Sequence, residues 1–585
     1  MAPHKTISYV STLLLLITLA FTSCSKDSDL FDATVESQIE EEKDKQLDEN
    51  GQLIPSVSFE AMDDEFTISG NVGSSTLDVL KNDNVQDTES FQIVEVSEPT
   101  EGTLTINADN TLTYTPHPDA ANKAGDNGVV SDNFTYTLQA SKGGNTGNKT
   151  ATVVVNTQYG DMDMGALKAF PGAKGFGQNT VGGRGGRIIH VTTLNETGPG
   201  SLVEAMHASG PRIIVFDVAG EINWTSERAI TNPYCTIAGQ TAPSPGITIR
   251  GGALRISASE VIVRYLRIRP GNSVENDAVR ILNRKSNSVL ENVIIDHVSM
   301  GWANDEIFAV GGNSSGAVNA PVRNITLQNS IIHENLDGYN YAALLGRNVH
   351  NMSVIQNYWA NNGNRVPEHT YADGSSFEFV NNVLYNYNRA VTVSYGASIF
   401  DSVGNVFKPD SDYPPGQANH VYQLNRYENP NGLVSEGIVW EDDNIEIGSY
   451  NNPYGMTNGN WIENGANGRG LPNSPYTPIP SEQVVDIVLN DVGPSVLFPD
   501  AVDARLLGDW IDQNGVQGIT DISAVGGFPN LVSVEHPTTY DSDNDGMADA
   551  WEIITYGNLS SKASDDNDGN GYTNIEEFVY ALTLK

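Results

Sequence analysis

Asn292-Val-Ile-Ile-Asp-His-Val-Ser, Asn324-Ile-Thr-Leu-Gln-Asn-Ser-Ile, Asn351-Met-Ser-Val-Ile-Gln-Asn-Tyr and Ser376-Phe-Glu-Phe-Val-Asn-Asn-Val are variations on one short unit, and another copy follows at Ser398-Ile-Phe-Asp-Ser-Val-Gly-Asn-Val. Each is a β-branched or aromatic run of strand length closed by a polar corner. Counted between matching apolar positions, Val354 to Phe377 is 23 residues and Phe377 to Ile399 is 22, whereas Ile294 to Ile325 is 31. The longer interval marks a loop inserted between strands. Short strands at a period in the twenties mean stacked coils, none of which buries its own apolar face alone. The fold expected is all-β, a right-handed parallel β-helix. A leucine-rich horseshoe fits worse, because the units carry too few leucines and no helical period. Asn329, Asn357, Asn382 and Asn405 fall at one place in successive units. They are read as an amide ladder that satisfies backbone groups at a bend and does no chemistry.

Working outward, residues 56–157 alternate in short strands: Phe66-Thr-Ile, Leu104-Thr-Ile, Leu112-Thr-Tyr-Thr and Thr150–Val155, with Ala108-Asp-Asn as a turn. That spacing predicts a small β-sandwich. Together with Leu77-Asp-Val-Leu-Lys-Asn-Asp and Gly102-Thr-Leu, it resembles the cadherin-like or immunoglobulin-like spacers of bacterial surface proteins. On the other side, two loops share one spacing. Asp541, Asp543, Asp545, Gly546, Asp549 and Glu552 take positions 1, 3, 5, 6, 9 and 12 of the first, and Asp566, Asp568, Asn570, Gly571, Asn574 and Glu577 those of the second. This is the EF-hand-type Ca²⁺ pattern: carboxylates converge, the glycine permits the sharp turn, and the last Glu closes the site. The segment 538–585 resembles thrombospondin-type-3 or dockerin-like calcium modules, with local Ca²⁺-dependent stabilisation the expected role.

The composition sets further limits. With 32 Lys+Arg against 73 Asp+Glu the net charge is −41, so the overall field repels polyphosphate and no nucleic-acid partner is expected. Its 585 residues exceed one domain. Two cysteines, Cys24 and Cys235, build no disulfide framework. Residues 1–24 open with Lys5, continue through an apolar run over Ser11–Phe21 and end at Cys24. That run is too short to span a bilayer core of about 30 Å. It resembles a bacterial lipoprotein signal, which implies lipidation of Cys24 and a bacterial cell-envelope location, expected at the outer-membrane surface, with secretion as the alternative. The acidic stretch 25–55 then serves as a tether.

The coil segment, 165–535, carries the chemistry. Ala169-Phe-Pro-Gly-Ala-Lys-Gly-Phe-Gly, Thr180-Val-Gly-Gly-Arg-Gly-Gly-Arg, Ile214-Val-Phe-Asp-Val-Ala-Gly-Glu-Ile, Thr236-Ile-Ala-Gly-Gln-Thr-Ala-Pro, Val263-Arg-Tyr-Leu-Arg-Ile-Arg-Pro-Gly, Asn276-Asp-Ala-Val, Val293-Ile-Ile-Asp-His and Asn364-Arg-Val-Pro occur in order. Together they resemble the pectate lyase family, polysaccharide lyase family 1. The run Gly182–Gly186 lacks the Gly-Lys-Ser/Thr ending of a phosphate loop and reads as a tight turn. The resemblance implies β-elimination on an acidic polysaccharide, pectate or a related polyuronate, with Ca²⁺ bridging substrate carboxylate and protein. It implies that Asp277 and Asp305 bind the catalytic Ca²⁺. The family's third ligand falls at Ala309, so Glu306 is the substitute expected. Arg365 matches the catalytic arginine, the base on carbon 5. Two departures touch substrate binding: Tyr341, expected to bind substrate, stands where the family has Lys, and Thr370 where it has a second Arg. Arg347, Arg389 and His369 are replacements suggested by nearness in sequence, and His297 is read as a residue of the coil wall. A monomer is expected. The alternatives left open are a β-helix that binds acidic glycan without cleaving it, and a glycoside hydrolase on the same scaffold.

Overall fold

Periodicity separates two kinds of strand. In Val129–Lys142 buried and exposed residues alternate, as in a strand with one face on a core and one in water. In Val261–Arg264, Leu266–Arg269 and Ser376–Val380 every residue is buried, as in strands covered on both faces. The computed structural model describes residues 57–69, 74–85, 88–117, 120–123, 129–158, 164–272, 277–312, 320–336, 341–346, 348–370, 375–394, 399–409, 420–425, 438–447, 462–463, 469–471, 473–498 and 500–584. The segments 1–24 with Cys24 and 25–55, together with Arg347, lie outside the described residues, as do the side chains of Thr370 and Arg389.

The first unit is a β-sandwich. One sheet orders Asp64–Ser69, Asn145–Gln158, Val129–Lys142 and Ser90–Val96; the other orders Ser75–Leu77, Leu112–Pro116 and Gly102–Ile106. Leu77, Leu112 and Tyr114 of one sheet pack with Tyr136, Leu138 and Val153 of the other in a single core. Asp132 accepts from the Thr100 and Glu101 amides and from the Tyr114 hydroxyl, at 2.9, 2.8 and 2.8 Å, which satisfies a carboxylate otherwise costly to bury.

The second unit is a right-handed parallel β-helix of three sheets. Each coil contributes one strand to each, for example Leu290–Asp296, Ser299–Gly301 and Phe308–Gly311. Val261, Val293, Ile325, Met352, Phe377 and Phe400 stack in one inward column. The corner after the first strand of each coil has positive φ at Tyr265, His297, Asn329, Gln356, Asn381 and Gly404. These are polar, aromatic or glycine residues, which tolerate that conformation better than β-branched ones. Beside it the Ser330 amide donates to Asn357 Oδ1, the Asn357 amide to Asn382, and the Asn382 amide to Asn405, at 2.9–3.0 Å. The ladder continues to Asn444.

Two expectations are corrected here. Asn329 belongs to the corner row, one position before the ladder, where Ser330 stands; its side chain meets Lys174 and Asp491 instead. The coil repeat is also longer than the matching residue types suggest, because Val354 pairs with Phe379 rather than Phe377, and Ile294 with Thr326. Stacked polar partners stand 32, 27, 25 and 23 residues apart.

The helix Ala501–Asp512 is fastened to the coil by buried charge. Arg269 meets Asp500 at 2.9 Å and Asp503 at 2.5 Å, and Ser299 donates to Asp503. The C-terminal helices Asp549–Tyr556 and Asn574–Ala581 cover the outer face of the first sheet, where Ile213, Val215 and Ala238 pack against Met547, Trp551, Ile575 and Phe578. The glycine-rich run is a close approach: a Cβ on Gly183 would lie 1.9 Å from the Arg212 carbonyl oxygen.

Candidate active site

Four consecutive strands of the third sheet, Val279–Leu282, Phe308–Gly311, Ala343–Gly346 and Glu368–Thr370, pair in parallel. The segments that lead into them carry the candidates. Asp277 precedes the first, Asp305 and Glu306 the second, Tyr341 the third and Arg365 the fourth. The Ala343 amide donates to the Arg365 carbonyl at 2.8 Å, and Tyr341 bridges to Asn364, so the last two segments are themselves laddered. Residues spread over some ninety positions are thereby stacked at one end of one sheet.

Asp277, Asp305 and Glu306 each bring a carboxylate oxygen within 4.8 Å of the others. Asp277 and Glu306 are buried. Burial is the largest cause that pushes Asp277 up to about 6; Arg280, at 3.1 Å, opposes it and Asp305 adds to it. Burial and the Asp305 charge push Glu306 up to about 8, against the pull of Arg365. Three crowded carboxylates with hard oxygen donors and too little neighbouring positive charge form a donor set that suits Ca²⁺.

Arg365 sits at φ 55° and turns its guanidinium back toward this group. Its Nη1 is paired with Glu306 and its Nε lies 2.8 Å from Glu368 Oε2. Its carbon lies 3.6 Å from the centroid of the Tyr341 ring, a cation–π stack. Arg280 links Asp277 to Glu227, which also meets Arg255 at 2.8 Å.

The structure thus gathers Asp277, Asp305, Glu306, Tyr341 and Arg365. It corrects His369 as a substrate ligand. His369 follows the outward Glu368 and so points inward, in register with Leu345 and Val393. It lies against Phe377 and Phe400 with ring centroids 4.3 and 4.6 Å away, and burial alone lowers its pKa to about 3. His297 is buried in the coil wall, stacked on Tyr265 with Nδ1 2.8 Å from Asp296. Ala309 faces the Arg280 register position and offers no ligand. Glu368, Arg280 and Glu227 escaped the sequence reading. Only Glu368 carried a local signal, three residues after Arg365.

In the first C-terminal loop, Asp541, Asp543 and Asp549 form one group of close carboxylates, and Asp543, Asp545 and Glu552 another. Glu552 is fully buried, and neither of its carboxylate oxygens has a hydrogen-bond partner among the described residues. The Gly546 amide donates to Asp541 at 2.8 Å, and its counterpart Gly571 to Asp566 at 3.0 Å, so both loops close alike. In the second, Asn570 donates to Asp568 and Glu577 at 2.8 Å, Asn574 donates to the Lys562 carbonyl, and Glu577 is raised to about 7 by burial and Asp568.

Residues 55–156 match the family model for a bacterial Ig domain. The chain is also similar, over most of its length, to curated proteins called probable pectate lyase C. That of Aspergillus fumigatus is 33% identical over 448 residues, 74% of this chain and 98% of the relative. That of Emericella nidulans is 34% identical over 430 residues, 71% of this chain and 93% of the relative. A tobacco pectate lyase is 26% identical over 322 residues, 49% of this chain and 74% of that protein. Among solved structures, a mutant Bacillus subtilis pectate lyase is similar at a TM-score of 0.39 and 13% identity, covering 57% of this chain and 99% of that one. A Bacillus pectate lyase in complex with trigalacturonate gives 0.38 and 15%, covering 55% and 98%.

Proposed function

The chain belongs to the pectate lyase family, and from that premise we propose that it cleaves pectate, polygalacturonate, by calcium-assisted β-elimination that leaves a 4,5-unsaturated uronate end. The observation that carries this reading is the meeting of Asp277, Asp305 and Glu306 with Arg365 at one end of the third sheet. Bound there, Ca²⁺ would neutralise the uronate carboxylate and so acidify the proton on carbon 5. Asp277, Asp305 and Glu306 would hold the cation. Arg365 takes the carbon-5 proton; the C–H electrons form the new C4=C5 bond, the C4–O4 bond breaks, and the leaving oxygen is protonated from solvent. Glu306 pairs with Nη1 of Arg365, so committing its charge to a cation shared with Asp277 and Asp305 would loosen that pair and free the guanidinium. Tyr341 presents its ring to the guanidinium where the family has a charged Lys, so it orients the base and supplies no charge to substrate. Arg347 remains a proposed ligand of the uronate carboxylate.

The test is ultraviolet absorbance of the new double bond on a panel of polyuronates, with and without chelator. New reducing ends without absorbance would mark a hydrolase and overturn the proposal.

Two further assignments complete it. The loops at Asp541–Glu552 and Asp566–Glu577 bind Ca²⁺ for stability, a role supported by the unpartnered, buried Glu552. Cys24 carries a lipid that anchors the chain to a bacterial cell envelope, the sandwich acting as spacer and the coil as a monomeric catalyst. Cys24→Ser should then move active protein from the detergent phase to the aqueous phase; unchanged partitioning would refute the anchor.

A further inference from the structure

Glu368 lies outside the carboxylate group proposed to take calcium, yet it touches the residue proposed as base. Glu368 and His369 are neighbours on one strand and face opposite ways. His369 is locked inside against Phe377 and Phe400, and Glu368 is outward, in register with Leu344. The strand under Glu368 is therefore fixed from within, and its side chain is only 14% exposed. Its Oε2 stands 2.8 Å from Arg365 Nε, the nitrogen next to the flexible stem of that side chain. The contact is an ion pair without hydrogen-bond alignment, so it draws the guanidinium toward Glu368 by charge and leaves its far end available. Glu306 holds Nη1 and Tyr341 covers one face, while Nε, beside Glu368, makes no hydrogen bond among the described residues. The hold by Glu306 competes with its use in the carboxylate group. The hold by Glu368 has no such competitor.

We infer that Glu368 is a positioning residue, which aims the Arg365 guanidinium at the carbon-5 proton by ion pairing on its Nε side. The inference rests on the reading of Arg365 as the base. A guanidinium on a long stem loses rate steeply when misplaced, because proton transfer needs a near-attack geometry.

The test is a double-mutant cycle on the full chain with polygalacturonate, read together with calorimetric Ca²⁺ titration and thermal melting. Glu368→Gln keeps the size and removes the charge. It should lower kcat about 10- to 100-fold, with KM, Ca²⁺ affinity and Tm nearly unchanged. Glu368→Asp keeps the charge on a shorter stem and should recover part of the loss. In an Arg365→Lys background, Glu368→Gln should cost nothing further, because the group it aims is gone. Wild-type kcat in Glu368→Gln, an equal loss in both backgrounds, a raised KM with kcat spared, or a fall in kcat matched by a fall in Tm would each overturn the positioning role. If Arg365→Lys itself keeps full kcat, the base reading falls and this role falls with it. If Arg365→Lys loses activity while Glu368→Gln does not, the positioning role alone is lost.

Discussion

Arg365 and Glu306 stand 59 positions apart in the chain and meet as an ion pair across an intervening strand. Glu306 leads into Phe308–Gly311 and Arg365 into Glu368–Thr370, with Ala343–Gly346 between them. Two strand spacings are about 9.6 Å, a gap that only a long acid and a long base close together. Their pairing couples the carboxylates proposed for calcium to the group proposed as base.

Replacing that base tests the coupling. Arg365→Lys keeps a positive charge but loses the planar fork that holds Glu306 and Glu368 together. General-base catalysis is worth about 10²–10⁴-fold, so kcat should fall at least about 100-fold with KM little changed. A raised KM with kcat spared would make Arg365 a substrate clamp. The base would then have to be another residue, and His369, buried inside the coil, is no candidate.

Calcium dependence tests the other half of the site. Asp277→Ala and Asp305→Ala should each abolish turnover while the circular dichroism of the coil persists, since neither side chain belongs to the stacked inward columns. Chelation of the wild type should do the same. Because Asp277 is raised to about 6 and Glu306 to about 8, protons compete with the cation. Calcium affinity should therefore weaken as pH falls from about 8 toward 6. Full activity in excess chelator would remove the metal from the mechanism.

What the sequence disclosed and what it hid follow from the reach of each interaction. The inward column Val293, Ile325, Met352, Phe377 and Phe400 was visible because burial on both strand faces leaves an apolar run. Its exact register was not, because a one- or two-residue offset at a corner such as Asn329 leaves the pattern of residue types nearly unchanged. The carboxylates and Arg365 were legible through motifs. Glu368 against Arg365, Arg280 against Asp277 and the inward turn of His369 depend on which way a strand residue faces, and that is decided only once the coil is closed.

The C-terminal loops should give a calcium dependence separate from catalysis. Arg184 reaches Glu576 at 2.9 Å, Lys168 donates its amide to the Tyr572 hydroxyl, and the apolar core of the loop helices includes Ile213 and Val215 of the coil. Occupied loops should thus hold the start of the coil. A site at 100 times its Kd contributes about 2.7 kcal/mol, so calcium should raise Tm by several degrees. Asp541→Ala combined with Asp566→Ala should erase most of that rise and leave kcat at saturating calcium unchanged. An intact rise in the double variant would mean that the loops bind nothing of consequence.

His369 should make the coil sensitive to acid. The ring is buried and neutral, with its pKa lowered from the ordinary histidine value to about 3 by burial, and both ring nitrogens lack hydrogen-bond partners among the described residues. In the unfolded chain the same group takes a proton near pH 6.5. Between about 6.5 and 3 the unfolded state therefore binds the proton and the native state does not. Stability from this residue is complete above about 6.5 and is lost as pH falls, by up to about 1.4 kcal/mol per pH unit. His369→Leu leaves an apolar side chain between Phe377 and Phe400 and relieves two unpartnered nitrogens, a defect worth about 1–3 kcal/mol. The variant should melt at least as high as the wild type at pH 7, and clearly higher at pH 5, with kcat preserved because the side chain faces the core. Thermal melts of both proteins from pH 4.5 to 8 measure this. Parallel curves would refute the buried neutral histidine, and a loss of kcat without a loss of Tm would return His369 to the substrate side.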